Sequence, residues 1–281
     1  MTTKFQNIDF NLNHLPPMPS VAAQIVNLIN SSNSSAHELA EIIKKDSAVS
    51  ARVLKLANSS FYNVSRQVTK ISMAIVVLGE RTLENLVLAA SLKELNKTFG
   101  PVEKILWEDS MVCALCSQFL AKRLKLVDPE EAFLAGLFRH IGKVVINNQF
   151  IADKKEIMEK VAIESTSCAG FERKEFGATH QEVGAALLEA WQLSEAMSLV
   201  ALHHHDADLS SIKSARTRKL ICVVNIANEF VFSSGALGSP REPDFELLPA
   251  GKELGIGSDL MHELHSEFSQ ILADSKNALF V

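Results

Sequence analysis

The segment Phe133-Leu134-Ala135-Gly136-Leu137-Phe138-Arg139-His140-Ile141-Gly142-Lys143-Val144-Val145 limits what this chain can become. It is dense in large apolar residues, yet it carries Arg139, His140 and Lys143 in their midst. On a helix of 3.6 residues per turn, Phe133, Leu137, Ile141 and Val144 share one face, so the stretch reads as a buried helix. Gly136, Arg139, His140 and Lys143 collect on another face. Gly136 removes side-chain bulk there, so a second backbone or a ligand can come close. Two readings of that face stay open: a helix edge that reaches solvent, or a lined pocket.

The flanking segments repeat the helical signal. Ser20 is read as the cap of a helix with Val21, Ile25, Leu28 and Ile29 on one side. Ser31-Ser32-Asn33-Ser34 reads as a turn. Ser35 and Glu38 form a capping box ahead of Leu39, Ile42 and Ile43. Asp46 caps Val49, Val53, Leu56 and Ala57, and Asn58-Ser59-Ser60 ends that helix with residues that bond to backbone. Ile71 to Leu78 stops at Gly79, and Thr82 to Leu95 follows. Past Gly100 and Pro101, a long apolar helix contains Cys113 and Cys116, neighbours one turn apart that read as core packing, with a redox motif or half a zinc site as the alternative. Asp128-Pro129 opens the central segment. Ile151 to Ile163 reads as a more polar surface helix. Thr179 and Glu182 form a second capping box, placing His180 in a first turn, on one face with Gly184, Leu187, Leu188 and Trp191. Ser194 caps a helix that ends in His203-His204-His205-Asp206. Leu220 to Phe232 is apolar, Ser233 to Gly257 reads as a long loop, and Asp259 to Ala273 is a last amphipathic helix with His262 and His265 on one side.

An all-α protein follows. Sparse glycine (12) and proline (8) agree with it, and 47% hydrophobic residues supply a sizeable core. A net charge of −5 argues against nucleic acid as the main partner. No apolar run reaches the roughly 18 residues of a membrane span, and Met1 to Asn7 lacks the apolar core of a signal peptide. The chain is therefore expected in a reducing cytoplasm.

Three stretches resemble one family. They are Leu15-Pro16-Pro17-Met18-Pro19, the run from Asp46 to Tyr62 with Leu56-Ala57-Asn58-Ser59 inside it, and Ile71-Ser72-Met73-Ala74-Ile75-Val76-Val77-Leu78-Gly79. They are similar to the bacterial HDOD domain, the HD-related output domain, over about residues 10–230. The resemblance implies two packed helical subdomains. A first, N-terminal one covers about 10–95, and a second, HD-like one with a C-terminal extension covers 96–281. It implies a regulatory role, often linked to sensory or cyclic-dinucleotide pathways, with signalling proteins as partners.

The resemblance also sets a test of chemistry. HD phosphohydrolases hold a divalent ion with a His, an adjacent His-Asp pair and a distal Asp, and the ion activates a water. Here the matching positions read Asp109, Arg139-His140 and Ala227-Asn228, while His180 and the His204-His205 pair remain, as in HD-GYP relatives. A guanidinium has no lone pair to give and stays charged. The expectation is therefore no catalytic residue, no HD metal centre and no cofactor. Arg139, His140, Lys143, His180, His204 and His205 are expected to line a pocket for a small phosphate or carboxylate ligand, such as a cyclic dinucleotide. The competing expectation is a displaced site for iron, manganese or zinc built from Asp109, His140, His180, His204 and His205, in a metal-dependent phosphohydrolase acting on a nucleotide or cyclic dinucleotide. A third reading of the histidines is inherited structure, as buried imidazoles bonded to helix ends.

Overall fold

Side-chain caps open several of the helices in the computed structural model, which describes residues 15–31, 35–96, 99–163, 169–234, 242–246 and 248–279. Among these residues every regular element is a helix and no strand occurs. The chain divides into two units, one of residues 18–96 and 269–281, the other of residues 1–17 and 97–268.

The first unit holds α1 (Ser20–Asn30), α2 (Ala36–Lys44), α3 (Ser47–Ala57), α4 (Ile71–Leu78) and α5 (Glu80–Leu92). The Ser35 hydroxyl accepts from the Glu38 amide at 3.3 Å, and the Asp46 carboxylate accepts from the Val49 amide at 2.9 Å, so both caps form as the sequence implies. Ser20 does not cap α1. It is the first helical residue, and Pro19, fixed in an extended conformation, stands at the cap without a side-chain bond. Residues 32–34 of the expected turn lie outside the described residues. Leu39, Ile43, Val49, Val53, Leu56 and Leu83 are buried where α2, α3, α4 and α5 pack, while Ile29, expected inside, is 43% exposed. Asn58 staples the loop after α3. Its amide donates to the carbonyls of Leu54 and Val68, and its oxygen accepts from the Val68 amide. Gly79, with φ of 84°, is the joint between α4 and α5.

The second unit contains α6 (Pro101–Leu124), α7 (Pro129–Phe138), α8 (Ile141–Ile163), α9 (Ala169–Phe176), α10 (His180–Ala190), α11 (Glu195–His203), α12 (Ala215–Ser233), α13 (Pro249–Leu254) and the start of α14 (Ser258–Leu279). Its core is apolar and dense, with Phe133, Leu115, Val183, Leu187, Val223 and Phe230 fully enclosed. Cys113 and Cys116 are buried free thiols in α6, in keeping with core packing. The expected single helix over Phe133–Val145 is two helices: a two-residue turn at Arg139-His140 separates α7 from α8. The expected surface helix from Ile151 is the continuation of α8, which carries a non-helical residue at Lys154. The Ser233–Gly257 stretch is not all loop, since α13 forms behind Pro249 and ends at Gly255, with φ of 68°. No helix among the described residues is long and apolar enough to cross a membrane.

Candidate functional site

Two glycines bring the site together. A Cβ on Gly136 would lie 2.6 Å from the Cys113 carbonyl oxygen and from the Ser117 hydroxyl, so α7 seats directly on α6 only because that carbon is missing. A Cβ on Gly142 would collide with the His180 carbonyl and come within 2.7 Å of the Gly184 amide nitrogen. The first turn of α8 thus presses on the first turn of α10, backbone to backbone. That contact sets His140 against His180, with ring centroids 5.0 Å apart. The turn at Arg139-His140 then sends the two side chains to different partners.

Arg139 is the largest fully enclosed side chain among the described residues. Its NH2 nitrogen donates to Asp109 Oδ1 at 2.6 Å, and its Nε donates to Asn228 Oδ1 at 2.8 Å. NH1 donates to the carbonyls of Gly136 at 3.3 Å and Asp109 at 3.4 Å. The guanidinium therefore joins the three positions at which the resembled HD enzymes hold their ion, and it is neutralised there by Asp109. It braces α7 to α6 and α12. A divalent ion does not fit at that position, because a fixed positive charge and its hydrogen-bond partners occupy it.

The histidines face a different way. His140 Nδ1 sits 2.8 Å from Asp109 Oδ2. His180 Nδ1 sits 2.8 Å and 2.9 Å from the two Glu172 oxygens, and the His180 amide donates to Glu172 as well. His204 Nδ1 sits 2.9 Å from the Ala201 carbonyl. A carboxylate and a carbonyl only accept, so each Nδ1 carries the hydrogen and each Nε2 is left as a bare lone pair. His140 Nε2 has no hydrogen-bond partner. His180 Nε2 and His204 Nε2 point at one another across 3.4 Å. With His205, whose tilted ring has its centroid 4.0 Å from that of His204, the ligand atoms of all four residues lie within 4.8 Å of one another. Among the described residues, these four form the group able to hold a metal ion. Asp109 and Glu172 stand behind the rings and orient them.

Burial dominates the electrostatics. It pushes the imidazoles of His140 and His204 well below the ordinary histidine pKa, helped at His140 by Arg139 and Lys143 and at His204 by its neighbouring imidazoles. Burial also lowers His180, against the pull of Glu172, and takes His205 to about 2. Burial alone would raise Glu172. Its hydrogen bonds and attraction to His180 outweigh that and hold it below the usual carboxylate value.

Of the residues singled out in the sequence, His140, His180, His204 and His205 converge. Lys143 is buried one turn into α8, close enough for its charge to lower the imidazoles. Arg139 lies beside them with its donors engaged by protein oxygens, and Asp109 is a hydrogen-bond partner of His140 rather than a member of the cluster. Two contributors were not foreseen. Glu172, fully buried in α9, holds His180 eight residues away, and the Asn225 amide donates to the His204 carbonyl at 2.8 Å. A capping box at Thr179, with the Thr179 hydroxyl accepting from the Glu182 amide at 3.2 Å, was the local signal that placed His180.

Among the described residues, the chain is an all-helical protein with a buried cluster of four imidazoles. The comparisons agree in fold. Over 95% of this chain and 94% of the other, the structure is similar to a crystal structure of an HDOD domain protein of unknown function from Geobacter sulfurreducens, with a TM-score of 0.72 and 24% identity. It is similar at 25% identity and a TM-score of 0.70 to a candidate phosphohydrolase from Shewanella amazonensis, over 95% of each chain. A candidate signal transduction protein from Marinobacter aquaeolei matches at 19% identity and a TM-score of 0.69, over 95% of this chain and 60% of that one. The HDOD domain matches residues 15–207, and the chain belongs to the HDOD family. An uncharacterised protein of Treponema pallidum is 24% identical over 209 residues, 73% of this chain and 40% of that protein. YuxH of Bacillus subtilis, also uncharacterised, is 21% identical over 187 residues, 65% of this chain and 41% of that protein. The chain thus spans about two fifths of the curated relatives it matches.

Proposed function

We propose that this chain is a regulatory module of bacterial signal transduction that works through protein contacts and without HD-type hydrolysis. One observation carries the reading: Arg139, Asp109 and Asn228 satisfy one another at the position where an HD enzyme needs lone pairs and negative charge. Family membership and the name of the Marinobacter protein support the regulatory half. The partners would be signalling proteins. A small phosphate or carboxylate ligand that gates those contacts would need donors that the cluster does not offer, because the guanidinium is engaged and the imidazoles turn lone pairs inward. The second reading is a metal-dependent phosphohydrolase acting on a nucleotide or cyclic dinucleotide. It is favoured by the four converging imidazoles and by the name of the Shewanella protein.

The deciding experiment is hydrolysis by the purified chain of nucleotides and cyclic dinucleotides, with manganese, iron or zinc supplied. No turnover above the metal-only blank is expected. Turnover that disappears in Asp109→Ala or His180→Ala would replace the regulatory reading with the enzymatic one.

A further inference from the structure

We propose that His140, His180, His204 and His205 form a displaced, all-imidazole site for one borderline transition-metal ion: zinc, cobalt, nickel or copper. The site is displaced from the HD-type position that Arg139 fills and shares with it only His140, the second residue of the altered pair, and the proposal holds whether the module is regulatory or not.

The tautomers make the case. Asp109, Glu172 and the Ala201 carbonyl each require a hydrogen on the Nδ1 they face, which turns three bare Nε2 lone pairs into one buried space. Two of those lone pairs oppose each other at 3.4 Å, and the third, on a side chain only 1% exposed, meets nothing. Lone pairs packed together without a donor repel, and a buried acceptor without a partner is costly. A Lewis acid between them resolves both defects. Two ligands on a tetrahedral zinc ion, bound at about 2.0–2.1 Å, stand about 3.3 Å apart, close to the separation of His180 and His204. Bringing the widest pair in from at most 4.8 Å takes a side-chain movement of about 1.5 Å. The supports are those of a metal-bound histidine, whose second nitrogen is held by a carboxylate or a backbone carbonyl.

The surroundings select the ion. Asp109 and Glu172 oppose the charges of Arg139 and Lys143, so the frame is close to neutral and offers no carboxylate to the ion itself. Magnesium, calcium and manganese prefer oxygen ligands and gain little from such a frame, whereas imidazole suits the later first-row ions. Four protein donors also fill a tetrahedral shell. That is the shell of a structural or sensing site, not of one that keeps a position open for water. The ion would tie the turn before α8, the start of α10 and the end of α11 into one knot.

The test uses the full, untagged chain, stripped with chelator and titrated with cobalt(II). The expected result is the intense visible absorption of four-coordinate cobalt, saturating at one equivalent and displaced by zinc. Elemental analysis should then find one zinc per chain, and zinc should raise the Tm by several degrees while magnesium leaves it unchanged. His205→Gln, at the least buried of the four, should lose the absorption and the zinc-dependent shift while staying folded. His37→Gln, in the other unit, should keep both. If His205→Gln does not fold, the cobalt spectrum of the unmutated chain decides by itself. A folded chain that binds neither cobalt nor zinc at micromolar concentration, or binds magnesium equally well, overturns the proposal and leaves the regulatory reading intact. Phosphohydrolysis by the zinc-loaded chain would overturn the regulatory reading and the closed shell, and leave the metal site itself in place.

Discussion

Two halves of one buried site solve the same problem in opposite ways. Around Arg139 the polar groups close on one another. The guanidinium, the Asp109 carboxylate and the Asn228 amide form a pairing with little left to offer. A few ångströms away the imidazoles are held just as firmly from behind, yet their working nitrogens are turned toward each other with no donor between them. Asp109 belongs to both halves, with one oxygen on Arg139 and the other on His140. A closed pair stabilises a fold only if it stays intact. An open set of lone pairs stabilises it only when something binds. The difference separates a set of polar groups that is satisfied from one that is not.

Acidity should break the comparison most strongly. In the metal-free chain, burial lowers the folded-state pKa of His140, His204 and His205 below their unfolded value of about 6.5. Below that value the unfolded chain takes up protons that the folded chain refuses. Stability conferred by the neutral rings is therefore present above about pH 6.5 and is lost as pH falls. Each such histidine contributes a slope of about 1.4 kcal/mol per pH unit, so three of them amount to at most about 6 kcal/mol between pH 6.5 and 5, comparable to the whole stability of a domain. Urea midpoints measured from pH 7 to 5 check this. A flat profile would mean that the rings accept protons readily and that their lone pairs are not confined.

Cutting the shared residue comes next. Asp109→Asn leaves the Arg139 charge enclosed without its counter-ion and should cost about 3–5 kcal/mol in denaturant unfolding. Replacing both partners by apolar residues, in Asp109→Leu with Arg139→Met, should cost clearly less than the single change, because no uncompensated charge remains. If the double variant is the worse of the two, the pair is a net source of stability and not merely a closed one.

How much of this could be seen in the sequence depends on the range of each interaction. Caps at Ser35, Asp46, Asp128 and Thr179 were legible because donor and acceptor lie within three residues. The family resemblance carried the fold and the positions of Arg139, His140, His180 and the His204-His205 pair. Periodicity could not locate the turn at Arg139-His140, because apolar residues continue in step on both sides of it and Arg139 itself keeps helical dihedrals, φ −53° and ψ −39°. Glu172 was invisible for another reason. Amid Arg173, Lys174 and Glu175 it looks like one more solvated charge, and only the fold reveals that it is buried against His180. The same holds for Gly142, whose missing side chain matters because of a backbone that arrives from α10. The helix α13 had a usable signal, Pro249 at its start and Gly255 at its end, hidden by the surrounding loop composition.

The smallest effect sharpens the comparison from the helix end. Thr179→Ala removes the hydroxyl that accepts from the Glu182 amide, and with it half of a capping box. The loss in unfolding free energy should be about 1 kcal/mol. Because His180 is the next residue and Glu172 still grips both its ring and its amide, the imidazole should keep its place. The expected signature is thus a lower urea midpoint with cobalt affinity unchanged within about twofold, a difference of roughly 0.4 kcal/mol. A parallel loss of affinity would mean that the cap, and not Glu172, holds the ring. The open half of the site would then depend on the helix cap rather than on its buried carboxylate.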